Sequence, residues 1–254
     1  MTIFYFTATG NSLAVAKRIG GNLISIPQAI DVEETHYKDD VIGVVFPVFS
    51  NAPPRMVRQF LDKVCLEADY LFAIGTYGNI PGACMYNLQK SAEKCGYRFD
   101  YLGGLLMVDN FLPVFEMDAE VAKLPAKKTA EMTAKIVSDI HNRKQQQAKA
   151  GLPMRALASI LKATTKTDNN AQGYIVNEKC NKCGTCAKVC PAKNIAVTDK
   201  VSFSDHCEAC LACAHLCPQN AIHLKNEKSD KRWRNPEVSI SEIITANSRN
   251  SNLL

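Results

Sequence analysis

The sequence predicts an α/β protein: a doubly wound, parallel five-stranded sheet followed by a second, smaller domain organised by cysteines. Two observations carry the first half. Up to about residue 110, apolar runs of strand length alternate with segments of helical period, and such alternation builds a parallel sheet covered on both faces. A third observation carries the second half. Eight of the eleven cysteines fall between Cys180 and Cys217 at metal-ligand spacing. A chain of 254 residues is long enough for two cores.

Taken in order, TIFYF, a shorter run near NLISI, VIGVVFP, YLFAIGT and FDYLGGLLMV read as the strands. Between them SLAVAKRIG, PPRMVRQFLDKV and GACMYNLQKSAEKCG read as helices, with Pro53 and Pro54 ahead of the second and Gly96 behind the third. From Asp118 to about Ala150 the pattern predicts one long helix, interrupted early by Pro125 and stopped by Gly151. It closes a first domain over residues 1–150. Residues 151–171 read as a basic, mildly amphipathic linker helix packed on a domain, with binding to a membrane surface as the alternative. The cysteine-rich unit spans residues 172–226. The polar remainder, 227–254, reads as a loose tail that Trp233 pins in part.

Composition excludes several classes. Apolar residues make up 46% and charged residues 22%, the balance of an ordinary globular protein. The longest apolar runs, VIGVVFPVF and YLGGLLMV, fall short of the roughly 18 residues of a membrane span, so no integral membrane segment is expected. MTIFYFTATG has no basic leader or small-residue cleavage site. A cytoplasmic protein is the expectation, and the clustered thiols call for a reducing compartment. Cys65, Cys84 and Cys95 stand apart and read as buried or half-buried structural thiols. The excess of Lys and Arg between Lys123 and Lys166 reads as a solvated helix face, with docking of an acidic partner as the alternative.

The stretch TATGNS lies between the first strand and the first helix. Thr7, Thr9 and Ser12 offer hydroxyls. The amides of Ala8, Gly10 and Asn11 lie at the positive end of a helix, where an anion is favoured. No lysine follows the glycine and no GxGxxG is present, so a single phosphate monoester fits better than a triphosphate or a dinucleotide. After the first strand, TATGNS resembles the FMN-phosphate loop of flavodoxins. That resemblance implies a flavin ring between two later loops, here FPVFSNAPP and GTYGNIPG. Phe49 and Tyr77 would give flat faces, or else simply pack in the core. Ser50, Asn51, Gly78 and Asn79 would meet the polar edge, and by analogy the Gly78–Asn79 peptide would flip toward the ring nitrogen that the semiquinone protonates. The sole tryptophan, Trp233, lies outside this domain, and the quoted loops contain no acid. The resemblance then implies a second reduction step less negative than in an acidic flavodoxin.

CNKCGTCAKVCP and CEACLACAHLCP share the spacing CxxCxxCxxxCP at an offset of 27 residues. This is similar to the two-cluster bacterial ferredoxin signature, a small α+β domain in which each fourth cysteine serves the other cluster. The resemblance implies one 4Fe-4S cluster on Cys180, Cys183, Cys186 and Cys217 and another on Cys207, Cys210, Cys213 and Cys190, with Ile195 and Ile222 packed beside them. Structural zinc is the alternative for paired CxxC motifs. His206 and His215 read as surface groups or groups that adjust potential from behind the ligands.

As a whole the chain resembles the flavodoxin-ferredoxin fusion proteins of anaerobic bacteria. The resemblance implies a soluble electron-transfer protein holding FMN and two 4Fe-4S clusters and serving a redox protein partner. With those cofactors bound, the formal charge of +5 falls to roughly −1, which removes the case for nucleic acid. No nicotinamide fingerprint or acid–base pair argues for chemistry on an organic substrate. Two other readings remain: an FMN-dependent reductase of a small molecule or quinone fed by the clusters, and a cluster-based redox or oxygen sensor without FMN. If one chain held FMN far from its own clusters, a head-to-tail homodimer would be required.

Overall fold

The computed structural model describes residues 1–33, 35–148 and 173–248; the expected linker helix lies outside them. Seven strands come first: β1 (Thr2–Tyr5), β2 (Asn22–Ser25), β3 (His36–Lys38), β4 (Val41–Pro47), β5 (Cys65–Glu67), β6 (Tyr70–Tyr77) and β7 (Tyr101–Leu106). Five form one sheet in the order β2-β1-β4-β6-β7, all parallel. Counted within the sheet this is 2-1-3-4-5, the flavodoxin-like winding. β3 and β5 form a separate short parallel pair that the sequence pattern did not signal.

The side-chain alternation of the strands divides the interior into two cores. Phe4, Phe6, Val44, Phe46, Leu71 and Ala73 point to one face, where Met56, Val57, Phe60 and Leu61 of α3 (Arg55–Lys63) and Leu88 of α4 (Cys84–Lys94) cover them. Ile3, Tyr5, Val45, Phe72 and Ile74 point to the other, under α1 (Asn11–Ile19). A short helix, α2 (Ile26–Ala29), follows β2. Each fully buried Phe or Ile of this kind contributes about 1.5–3 kcal/mol. Helix α4 ends where expected, with Gly96 at φ +86 just beyond it. Of the three isolated cysteines, Cys84 is buried, while Cys65 and Cys95 are exposed and not the half-buried thiols expected.

The single long helix expected from Asp118 to Ala150 is instead three: α5 (Met117–Ala122), α6 (Leu124–Lys127) and α7 (Thr129–His141). Pro125 and a left-handed Lys128 (φ +48) separate them. Helix α7 stops early because the chain turns back to the open edge of β7. There Gln146 N donates to Asp100 O at 2.9 Å and Leu102 N to Gln146 O at 2.8 Å. Pairing at an exposed sheet edge wins over three more glutamines of helix.

The cysteine-rich part contains two antiparallel pairs, Tyr174–Val176 with Ile222–Leu224 and Ile195–Val197 with Val201–Phe203. The expected loose tail is ordered through residue 248. It crosses the first domain as a strap and ends in the helix Ile240–Asn247, which Ser239 and Glu242 start with a reciprocal capping box. Val238, Ile243 and Ala246 are buried in the same core as α1. Lys17 pairs with Glu242 and Arg18 with Glu237. Apolar burial outweighs the segment's polar composition. At Trp233 the half-buried ring packs against the first core, and the backbone N–H donates to His215 Nδ1 at 3.1 Å.

Candidate functional site

In a parallel sheet every loop leaving a strand's carboxyl end reaches the same edge. Here the loops after β1, β4, β6 and β7 converge there. Gly10 adopts φ +101 at the start of α1, a conformation glycine takes without strain. Thr7, Thr9 and Ser12 are all buried. Ser12 Oγ lies 2.9 Å from Thr76 Oγ1, and Asn110 Nδ2 donates to Thr9 Oγ1 at 2.6 Å. Thr7 Oγ1 is buried with no hydrogen-bond partner among the described residues. An orphaned hydroxyl costs about 1–3 kcal/mol. One such donor beside a glycine-turned helix start fits a phosphate monoester, and the loop residues Thr7, Ala8, Thr9, Gly10, Asn11 and Ser12 have the form of a site for one.

The later loops meet this one only in part. Phe49 closes a tight turn onto Ala52, with Ser50 and Asn51 in the left-handed region at φ +47 and +65. Its ring stands edge-on to Phe6, centroids 6.3 Å apart. Tyr77 leans over Gly104, where an added Cβ would stand 2.8 Å from its ring. Burial raises its hydroxyl. Gly78 packs against Asp109 so closely that a Cβ would sit 2.1 Å from Asp109 Cβ. Asn79 is exposed, and its Nδ2 donates to Asp109 Oδ2 at 3.2 Å.

Several residues here escaped the sequence reading. Asp109 brings an acid against Asn79, which the quoted loops lacked, so the expectation of a less negative second reduction step loses its premise. Burial raises the Asp109 carboxyl. Lys127 is buried, and its Nζ donates to Gly78 O at 2.8 Å, Met107 O at 2.6 Å and Glu120 Oε2 at 3.1 Å. It therefore ties the β6 and β7 loops together and occupies the Gly78 carbonyl that a peptide flip would turn. No local pattern marks Lys127; its neighbours read as a solvated helix face.

The eight clustered cysteines fall into two sets. Cys180, Cys183, Cys186 and Cys217 border one pocket, with Ile222 beside them. Cys190, Cys207, Cys210 and Cys213 border another, with Ile195 and Tyr174. The crossed sharing of the fourth cysteine is thus present in the geometry. Each cavity is lined by four thiols together with apolar side chains and a few polar ones, Asn181, Lys182 and Gln219 in the first and Asn194 and Glu208 in the second, and the four-thiol donor set suits an iron–sulfur cube. Both isoleucines stand where they were expected.

The two sets differ in setting. Cys183 is exposed, and the Thr185 hydroxyl at 3.3 Å lowers its thiol. Burial and neighbouring thiols raise Cys207 and Cys213. The loop carrying the second set is bonded to the sheet edge at two points. Glu208, nearly fully buried, accepts from Arg55 Nε at 3.2 Å and from Met56 N at 3.4 Å, while Arg55 also donates to His206 O at 2.7 Å. His215 joins the Asn110 carbonyl at 2.7 Å. Its Nδ1 accepts from Trp233 N–H, so Nε2 carries the proton and donates. Burial lowers its pKa to about 4, which keeps the ring neutral. His215 is thus an interdomain contact; His206 is exposed beside Asp205. The strap covers the loop after β1 from outside: Asn235 N donates to Thr9 O at 2.8 Å and Asn235 Nδ2 to Asn11 Oδ1 at 3.1 Å.

Residues 172–218 match the 4Fe-4S dicluster domain family. No curated protein matches the chain. Among solved structures, a protein described as a flavoprotein from Bacteroides uniformis ATCC 8492 is 18% identical, over 41% of this chain and 89% of that one, with a TM-score of 0.30. Another so described, from Bacteroides eggerthii DSM 20697, is 19% identical over 50% and 96%, with a TM-score of 0.33. The two-electron reduced flavodoxin of Megasphaera elsdenii is 18% identical over 41% and 83%, with a TM-score of 0.30. The fold assignment rests on the strand order itself and not on these scores.

Proposed function

From a chain that joins a flavodoxin-like sheet to a 4Fe-4S dicluster domain, we propose a protein that passes electrons between FMN, two 4Fe-4S clusters and an external redox protein. The observation that carries this reading is the seating of the second cysteine set: its loop is bonded through Glu208 and His215 to the loops after β4 and β7. Electron transfer needs centres held close and still, and this contact supports a relay within one chain. FMN, when bound, exchanges one or two electrons, whereas each cluster exchanges one.

The chain's own residues supply placement. Thr7 and the α1 start hold the phosphate, the strap at Asn235 and Val238 shields it from water, and Lys127 keeps the Gly78 loop at a set distance from Asp109. A reducing, cytoplasmic setting follows from eight thiols reserved for clusters. No helix among the described residues is long and apolar enough to cross a membrane.

A second reading has one observation behind it. Ile80, Phe111 and Val114, on the loops beside Asn79 and Asp109, are 67%, 44% and 56% exposed, which suits an apolar acceptor such as a quinone reduced at the flavin. Anaerobic purification with iron, sulfide and acid-released flavin analysis tests the first reading; about eight irons and about one FMN per chain are expected. Eight irons without flavin after reconstitution would reduce the protein to a ferredoxin carried on a binding domain. Steady-state turnover with soluble quinones would favour the second reading.

A further inference from the structure

The two cluster cavities are not equivalent, and the difference assigns them an order. The second set faces the first domain, as Glu208 and His215 show. The first set faces outward: Asn181, Lys182, Cys183, Pro218 and Gln219 line its cavity and are exposed. Lys182 lines this opening, Lys179 and Lys188 flank it along the chain and are exposed like it, and Glu178 and Asp199 are the exposed acids on the adjoining segments. None of the three lysines forms an ion pair among the described residues.

The basic run of the first domain is compensated. In the Lys-rich run that begins at Lys123, Lys123 and Lys127 pair with Glu120, Lys135 and Lys144 with Asp139, and Arg143 with Asp40. The described part of that face therefore offers little net field. Beside the outward-facing cavity, by contrast, three exposed lysines stand outside any ion pair among the described residues.

We propose that the rim formed by Lys179, Lys182 and Lys188 is the docking surface for an acidic one-electron redox protein, and that the cluster on Cys180, Cys183, Cys186 and Cys217 is the port through which it exchanges electrons. The proposal rests on the electron-transfer reading but not on FMN. In the exchange one electron leaves the reduced centre of the donor and enters this cluster; the donor is oxidised by one electron, the cluster reduced by one, and no proton or bond moves. Complementary charge steers such encounters and sets their salt dependence. Its range is about 10 Å at 0.1 M salt.

The test uses the full holoprotein and an acidic bacterial ferredoxin as the probe. Calorimetry of the two oxidised proteins at low salt measures association without electron flow, and stopped-flow bleaching with the dithionite-reduced probe measures transfer. Lys179→Glu/Lys182→Glu is expected to weaken association at least tenfold and to slow transfer equally, with both effects fading at high salt. Reduction by the small cation methyl viologen is expected not to slow. Lys188→Glu is the second variant, should the first assemble poorly, and Lys94→Glu/Lys128→Glu on the other domain is the control. Unchanged association in both rim variants, or equal loss in the control, would overturn the proposal. So would loss of binding to DNA or to anionic vesicles with ferredoxin binding intact. Iron analysis separates the failures: a wild-type protein without iron refutes the electron-transfer reading itself, whereas full iron with unchanged association refutes the port alone.

Discussion

Replacing Arg55 by alanine strikes the contact that holds the second cysteine set against the sheet. The Glu208 side chain is 2% exposed and that of Arg55 35%. Removing the guanidinium leaves a buried carboxylate with only the Met56 amide, at 3.4 Å. Breaking a wholly buried pair in this way costs about 3–5 kcal/mol. Because a third of Arg55 already meets water, the expectation is discounted to about 1–3 kcal/mol. A loss of about 2 kcal/mol shifts the docked-to-undocked ratio roughly thirtyfold. The double variant Arg55→Ala/Glu208→Gln removes the stranded charge and is expected to be less destabilised than Arg55→Ala alone. The assay follows thermal unfolding of the holoprotein by two probes, cluster absorbance for one part and far-ultraviolet dichroism for the sheet. Coincident transitions are expected in the wild type and separated ones in Arg55→Ala. Coincident and unshifted transitions in Arg55→Ala, or equal destabilisation in the double variant, would refute the argument that Glu208 anchors the clusters.

Three further outcomes follow from the site. Gly78→Ala forces a methyl to within 2.1 Å of Asp109 Cβ, so the β6 and β7 loops must part; flavin content after reconstitution should fall at least tenfold while iron stays constant. Gly10→Ala places a side chain at φ +101 and 3.0 Å from Val238 Cβ; a cost of about 1–2 kcal/mol and faster proteolytic cleavage of the strap are expected. Asp139 has its carboxyl held down to about 2 by the ammonium groups of Lys135 and Lys144. A depressed folded pKa stabilises above the unfolded value near 3.8 and loses that stabilisation as pH falls through 2. Acid titration should therefore show up to about 2 kcal/mol less pH dependence across that window in Asp139→Asn.

What could be read from the chain, and what could not, divides by the range of the forces involved. The five sheet strands are each written in a few consecutive apolar residues, and the eight cysteines in two short repeats, so both are legible locally. The meeting of Asn79 with Asp109, or of Asn110 with both Thr9 and His215, depends on which loops share a sheet edge. No window of sequence contains it. Helix α7 is misjudged in length because its competitor, the open edge of β7, lies some forty residues upstream. The strap is a different case. Its composition is polar, yet Ser239 and Glu242 followed by an apolar run make a helix-start signature, and that local signal was there to be used.

The strap also explains why the two parts behave as one unit. Asn235 caps Thr9 and Asn11 of the phosphate loop, and Asn247 Nδ2 donates to Val189 O, next to the ligand Cys190. Val238 and Ile243 lie in one contiguous core with Leu13 of α1 and with Val189, Ala212 and Leu216 of the cysteine-rich part. A segment that touches both the helix start proposed for the phosphate and the chain beside a cluster ligand couples their order. Loosening it removes buried apolar surface from both at once. A flexible tether between two independent carriers would leave the distance between centres to diffusion, whereas a shared core sets it by packing.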